Sequence, residues 1–302
     1  MTSIAWMHNG NAEAWAEGRW GSAAALPVPC DARGLLLADG VFETVLVLDG
    51  APQWLQAHHQ RWLAGAQLLG LLPPPPLAAV DGLLHEALER SGISTGALRL
   101  NWCRGSGPRG LAAPDPGHQP AGKHLFWLQL SAMTPSFGPV AVIISSTEVR
   151  NATSLLSRCK SFGYGGALIA RRQATEAGAD DALLRSSTGD LCCATSANLL
   201  VQIDKVWQTP PLASGCLPGV MRRRALELGL ARETNLSARD LERSTGALLL
   251  NSLGCRPISR QGRTVLTGPD GPGASTRAEQ LWRQLLDNQG QPRTTKDGDP
   301  RG

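Results

Sequence analysis

The sequence predicts a two-domain α/β (α+β) protein, and three observations carry that reading. Segments with the period-two alternation of strands are interleaved with segments of helical period along nearly the whole chain. The 302 residues suffice for about two domains of ordinary size, and 42% of them are hydrophobic, enough for a core in each. Between the two halves, Thr134-Pro135-Ser136-Phe137-Gly138-Pro139 breaks both periodicities and predicts a linker. The expected division is a small N-terminal domain over 1–133, a linker over 134–139, a larger domain over 140–286 and a disordered tail over 287–302.

The elements follow in order. Residues 34–50 read as a strand pair: 34–41 is apolar with glycine punctuation, and 42–48 alternates before Asp49-Gly50, a favoured two-residue hairpin turn. Trp54 to Leu72 has helical spacing (Leu55, Trp62, Leu63, Ala66, Leu69) and is stopped by Pro73 to Pro76. A second helix is expected over 77–91, then strands over 97–103 and 124–130 flanking a glycine-rich loop at 104–110. Beyond the linker, strands are expected at 140–146, 182–186, 191–194, 199–203 and 247–251, and helices at 166–177, 220–230, 238–243 and 274–286. The first thirty residues give little, beyond Trp6, Trp15 and Trp20 packing an edge strand. After Asp287 nothing apolar is left to bury.

Composition excludes several function classes. No stretch approaches the ~18 unbroken apolar residues of a membrane span, and the N-terminus lacks the pattern of a secretory signal. The seven cysteines suggest no pairing framework and include no CxxC, which argues against zinc and for a reducing, cytoplasmic compartment. The one compact basic run, Arg222-Arg223-Arg224, opens an amphipathic helix, so nucleic acid is not an expected partner. Of 29 basic residues only four are lysines, at 123, 160, 205 and 296, and Tyr164 is the single tyrosine.

Placement selects among the lysines. Lys123 immediately precedes a strand, Lys205 sits in an expected turn and Lys296 lies in the tail. Lys160 stands just before a helix, four residues from Tyr164. A partly buried lysine has a lowered pKa and attacks carbonyl carbon to form a Schiff base. On residue type alone, a solvated loop lysine is the favoured reading of Lys160.

Five segments in order resemble the fold-type IV pyridoxal-phosphate enzymes, the class IV aminotransferase family. Asp31-Ala32-Arg33-Gly34 with Asp39-Gly40-Val41-Phe42-Glu43-Thr44 is similar to "DRG…GDG-FET", and His58-His59-Gln60-Arg61-Trp62 to "HxxRL". Arg158-Cys159-Lys160-Ser161-Phe162-Gly163-Tyr164 resembles the cofactor lysine region. Gly215-Cys216-Leu217-Pro218-Gly219-Val220-Met221-Arg222 resembles the "G-LPGI-R" phosphate loop, and Leu250-Asn251-Ser252-Leu253 the late "TNS" strand end. The resemblance covers 31 to about 257 and implies a D-amino-acid aminotransferase-like fold. That fold has a small N-terminal α/β sandwich domain and a larger barrel-like domain, with the cofactor between them, in a homodimer. Arg104-Gly105-Ser106-Gly107-Pro108-Arg109-Gly110 is most similar to the "RGSGxRG" loop of the lyase branch, which eliminates pyruvate from 4-amino-4-deoxychorismate on the way to folate.

The resemblance implies roles residue by residue. Pyridoxal 5′-phosphate would be carried by Lys160, the catalytic residue, with Tyr164 at its phenolic oxygen and Arg61 at its phosphate. Gly219, Val220 and Met221 open a helix whose N–H groups suit an anion. Thr195 and Ser196 would donate further hydrogen bonds there, and Asn251 and Ser252 would complete the cofactor contacts. Arg104 and Arg109, whose guanidinium forks suit carboxylates, would meet the small-molecule substrate together with Thr44. Of the two histidines, one is expected to support Arg61 and the other to face solvent.

Two positions depart from the family. Cys193 stands where the family has the glutamate that keeps the cofactor's pyridine nitrogen protonated, and a thiol is a weak partner there. The weakened electron sink should harm transamination more than an elimination driven by aromatisation. Gly163 replaces a frequent asparagine. An aminotransferase for D- or branched-chain amino acids, and a cofactor-binding relative with little catalysis, are the alternatives.

Overall fold

The computed structural model describes residues 2–8, 18–107, 110–112, 124–266 and 273–287. The first sheet runs in the order β2-β1-β6-β5-β3-β4. Its strands are β1 (Ser3–His8), β2 (Gly18–Gly21), β3 (Gly40–Leu48), β4 (Ala51–Pro52), β5 (Gly96–Arg104) and β6 (His124–Ala132). Asp49 and Gly50 both have positive φ, +50° and +79°, which is the geometry the Asp-Gly pair was expected to adopt between β3 and β4. Helices α2 (Leu55–Leu68) and α3 (Leu77–Ser91) pack on one face of this sheet. Pro76 precedes α3 and Gly92, at φ +70°, ends it, so both limits are set by backbone chemistry.

The strand β3 is buried on both faces, which explains its near-continuous apolar run. Val41, Val45 and Val47 join Trp62, Leu84 and Leu98 in the core under α2 and α3. On the other face Leu46 packs with Leu200, Met221 and Leu250 of the second half of the chain. Each such fully buried leucine contributes about 1.5–3 kcal/mol. Glu43, fully buried, is the one charged residue on the valine face.

One expectation for the first half fails and one holds in part. Residues 34–41 are not a strand: α1 (Arg33–Leu37) is a short helix closed by Ala38 in the left-handed region, and β3 starts only at Gly40. A Cβ on Gly34 would lie 2.3 Å from Cys103 Sγ, so the glycine serves close helix–strand approach. Leu35, Leu36 and Leu37 are exposed, so their apolar run reports no buried strand. Of the tryptophans expected to pack an edge strand, Trp20 lies on the edge strand β2 and Trp6 pairs with it from β1, which itself lies between β2 and β6. Trp15 and the tail after Asp287 lie outside the described residues.

Thr134 to Pro139 passes from the first sheet to the second. The second sheet, of nine strands among the described residues, runs β12-β11-β10-β13-β14-β7-β8-β9, with β15 on β14 and β9 also meeting β10. Its strands are β7 (Val140–Arg150), β8 (Asp181–Ser186), β9 (Leu191–Ala194), β10 (Asn198–Ile203), β11 (Val206–Thr209), β12 (Ala231–Glu233), β13 (Gly246–Asn251), β14 (Gly254–Gln261) and β15 (Thr264–Val265). The helices are α4 (Gly165–Glu176), α5 (Val220–Glu227), α6 (Ala238–Glu242) and α7 (Ala274–Leu286). The contact between β9 and β10 curls the sheet back on itself, pairing Asn198 with Cys193. No helix among the described residues is long and apolar enough to cross a membrane.

Candidate active site

The two sheets meet at a cavity of about 500 Å³ lined from both halves of the chain. Phe42 and Thr44 enter it from β3, Arg61 from α2 and Arg99 from β5; Lys160 and Tyr164 precede α4. Cys193, Thr195, Ser196, Gly219, Val220, Met221, Asn251 and Ser252 complete the expected cofactor-binding set at its wall.

Lys160 is fixed by its backbone. The Phe42 N–H donates to the Lys160 carbonyl at 2.9 Å and the Phe162 N–H donates to the Gly40 carbonyl at 3.0 Å. The lysine segment is thus paired to the edge of β3 that β4 leaves bare. A Cβ on Gly40 would sit 2.6 Å from the Phe162 ring, so this approach requires glycine. Lys160 Nζ lies 3.3 Å from Tyr164 Oη and 4.3 Å from the Phe42 ring centre. Burial first, then the Arg61 and Arg99 charges, push the amine down to about 8 against the pull of Glu43. The Tyr164 phenol is pushed up by burial and stays protonated at neutral pH.

Arg61 is held, not free. Its Nε and Nη2 donate to Glu43 Oε1 and Oε2 at 2.8 and 2.6 Å, and Nη1 donates to the Pro218 carbonyl at 3.0 Å. Burial raises the Glu43 carboxyl, but the Arg61 charge and hydrogen bonds, with His58, outweigh it and bring the group to about 2. Nearby, α5 begins after Gly219 with no side chain capping its first turn. Free N–H groups, a helix dipole and a fixed guanidinium together make a site for an anion such as phosphate. A Cβ on Gly219 would fall 1.9 Å from Asn198 Oδ1, whose amide holds the Leu217 carbonyl at 3.0 Å. Gly219→Ala is therefore expected to weaken phosphate binding at least about tenfold, measured by calorimetric titration.

Several expected roles need correction. Arg104 does not line the cavity: it donates to Asp39 at 2.9 Å and to the Leu69 and Gly70 carbonyls at 3.2 and 2.8 Å, closing the first sheet against α2. Arg109 lies outside the described residues. Thr195 has no proton to give a phosphate, since its hydroxyl donates to Asp181 at 2.6 Å while its oxygen accepts from Arg171. His58 supports Arg61 through Glu43, but His59 does not face solvent; it is buried and bonded to the Pro75 carbonyl at 2.8 Å.

Arg99 is the residue that the loop pattern drew attention away from. Its register opposite Thr44 on β3 turns it into the cavity, where its guanidinium lies 3.7 Å from the Phe42 ring centre and donates to Asn101 Oδ1 at 2.8 Å. No carboxylate lies within ion-pair reach of it among the described residues. The available signal was one charged residue alternating with the buried Leu98 and Leu100. Four cations, Arg61, Arg99, Arg150 and Lys160, face the cavity against one carboxylate, Glu148. A ligand carrying several negative charges suits that balance.

The amino-transferase class IV family model matches residues 40–260. A provisionally assigned branched-chain-amino-acid aminotransferase of Methanocaldococcus jannaschii is 29% identical over 197 residues, 65% of this chain and 67% of that protein. The bifunctional aminodeoxychorismate lyase / D-amino acid transaminase of Mycobacterium tuberculosis is 27% identical over 238 residues, 71% of this chain and 78% of that one. Among solved structures, a provisionally assigned 4-amino-4-deoxychorismate lyase from Legionella pneumophila superposes with a TM-score of 0.76 at 25% identity, covering 87% of this chain and 97% of that chain.

Proposed function

Since the chain belongs to the amino-transferase class IV family, we propose that it is a lyase converting 4-amino-4-deoxychorismate to 4-aminobenzoate and pyruvate. Members of the family bind pyridoxal 5′-phosphate. The residues fit that group: Arg61, the first turn of α5 and Ser252 would hold the phosphate, and Lys160 beside Tyr164 would meet the aldehyde. When bound, the cofactor ties down the substrate amine and draws electrons from the adjoining carbon.

The chain's own residues do the rest. The reaction removes one proton from the ring carbon bearing the amine, breaks the bond to the enolpyruvyl oxygen and adds one proton to the enolpyruvyl methylene carbon. In this reading Lys160 Nζ takes and returns those protons, and an amine lowered to about 8 exchanges protons readily near neutral pH. Arg99 binds a substrate carboxylate over Phe42 and orients the ring. Arg99→Gln is expected to raise KM roughly 10- to 100-fold with kcat within a few-fold, read from steady-state kinetics. A homodimer in the cytoplasm belongs to this reading, and the exposed Leu35, Leu36, Leu155 and Leu156 favour a covered surface.

The observation that carries the lyase over an aminotransferase is Cys193. It is buried in the cavity wall, and Glu148 is the only acidic side chain lining that cavity among the described residues. A thiol holds a pyridinium proton poorly, which penalises transamination more than a step ending in an aromatic ring. The M. jannaschii relative favours the second reading, a branched-chain aminotransferase. One experiment separates them: 4-aminobenzoate formation assayed beside keto-acid formation from amino acids. The expected result is 4-aminobenzoate release with slow or absent transamination, and gain of transamination in Cys193→Glu. Fast transamination with no 4-aminobenzoate would overturn the proposal.

A further inference from the structure

Beneath the anion-binding end of the cavity runs a line of hydrogen bonds that no proton transfer at Lys160 uses. Ser252 Oγ, in the cavity wall, lies 3.1 Å from His58 Nε2. His58 Nδ1 lies 2.7 Å from Glu43 Oε2, the oxygen that also accepts from Arg61. Both His58 and Glu43 are buried.

The partners dictate where the protons sit. Glu43 is ionised, and a carboxylate only accepts, so His58 Nδ1 carries a hydrogen. In the neutral ring Nε2 is then a lone pair, and the hydrogen between it and Ser252 is the hydroxyl's own. Ser252 therefore points its proton away from the cavity and offers only lone pairs to whatever binds there. A phosphate dianion likewise has only lone pairs. Docking it requires the hydroxyl to turn outward, which would leave Nε2 buried without a partner.

A single proton resolves this. If one enters from solvent and binds Nε2, the new N–H donates to Ser252 Oγ and the Ser252 hydroxyl donates to the anion. One N–H bond forms at Nε2, the bond that held the proton in the hydronium or buffer acid breaks, and one of the anion's two charges is offset. We infer that His58 is a proton-coupled positioning residue for a dianionic group, neutral in the free chain and imidazolium once the anion is bound. The charged groups that face it are Glu43 from β3, which favours the imidazolium, and Arg61 from α2 and Lys160 before α4, which oppose it. Burial opposes it most, which keeps the free ring neutral. A bound dianion adds to the side of Glu43. The inference rests on the proposal that phosphate binds at α5 and is independent of which reaction follows.

Sulfate is the probe, because it stays a dianion between about pH 5.5 and 7 and brings no titration of its own. Lys160, at about 8, remains charged across that window. The full chain freed of cofactor is titrated with sulfate by calorimetry, in two buffers of different ionisation enthalpy, which counts the protons taken up. The expected result is uptake approaching one proton per sulfate, with affinity tightening by up to about tenfold per pH unit as pH falls. His58→Gln should abolish the uptake. Ser252→Ala, which leaves the His58–Glu43–Arg61 contacts in place, should lower it. Sulfate binding without proton uptake, or uptake unchanged in either variant, would overturn the inference alone; should His58→Gln fail to fold, Ser252→Ala decides. No sulfate binding at all would overturn the anion site and this inference with it.

Discussion

Lys160→Ala is expected to cut turnover by at least about 10⁴-fold, because one side chain both meets the cofactor aldehyde and moves the substrate's protons. The purified wild-type protein should carry a visible cofactor band, and borohydride should fix the cofactor to the chain at Lys160 alone. Mass spectrometry of a digest reads that position directly. The variant should keep its fold, since the backbone bonds that join residues 160 and 162 to β3 do not involve the lysine side chain. Labelling at another lysine, or persistence of more than a trace of activity, would contradict the assignment of roles.

Glu43→Gln is expected to destabilise the protein by about 3–5 kcal/mol. It leaves the Arg61 guanidinium buried against a neutral amide, and an uncompensated buried charge costs that much. The wild-type pH dependence follows from the same group. Its pKa is depressed from 4.5 to about 2 in the folded chain, so the unfolded state binds more protons in that range. The stabilisation is complete above pH 4.5 and is lost as pH falls toward 2, by about 3 kcal/mol in all. Urea denaturation at pH 7 and pH 3 should show the wild type losing about 2 kcal/mol of this and the variant lacking that loss. Equal acid sensitivity in both proteins would show that the pair contributes no such term.

The positions legible in the sequence were those whose chemistry is local. The Asp49-Gly50 turn, the limits of α3 and α7, and the closeness of Lys160 to Tyr164 four residues on each follow from residues within one or two turns of chain. What failed depended on partners distant in sequence. Leu35 to Leu37 read as a strand because an apolar run says nothing about what it meets, and here it meets solvent. The strand β14 went unseen because Arg256, Pro257, Ser259 and Arg260 break its apolar pattern. Arg104 sat in the more conspicuous loop, while Arg99 sat in a strand whose register against β3 decides which arginine reaches the cavity. The Ser252–His58–Glu43 line needs residues 15 and 194 positions apart brought together, and no spacing rule joins them.

The pairing of the lysine segment with β3 has a consequence for biosynthesis. Residues 40–48 leave the ribosome well before residue 160, so one end of that strand emerges with open backbone groups, the kind of edge that recruits stray strands from other chains. The segment that covers it is the one that carries the reactive amine. A chain that has not yet closed this edge is therefore both the form most prone to aggregate and one without chemistry, whereas a chain able to react has already hidden it.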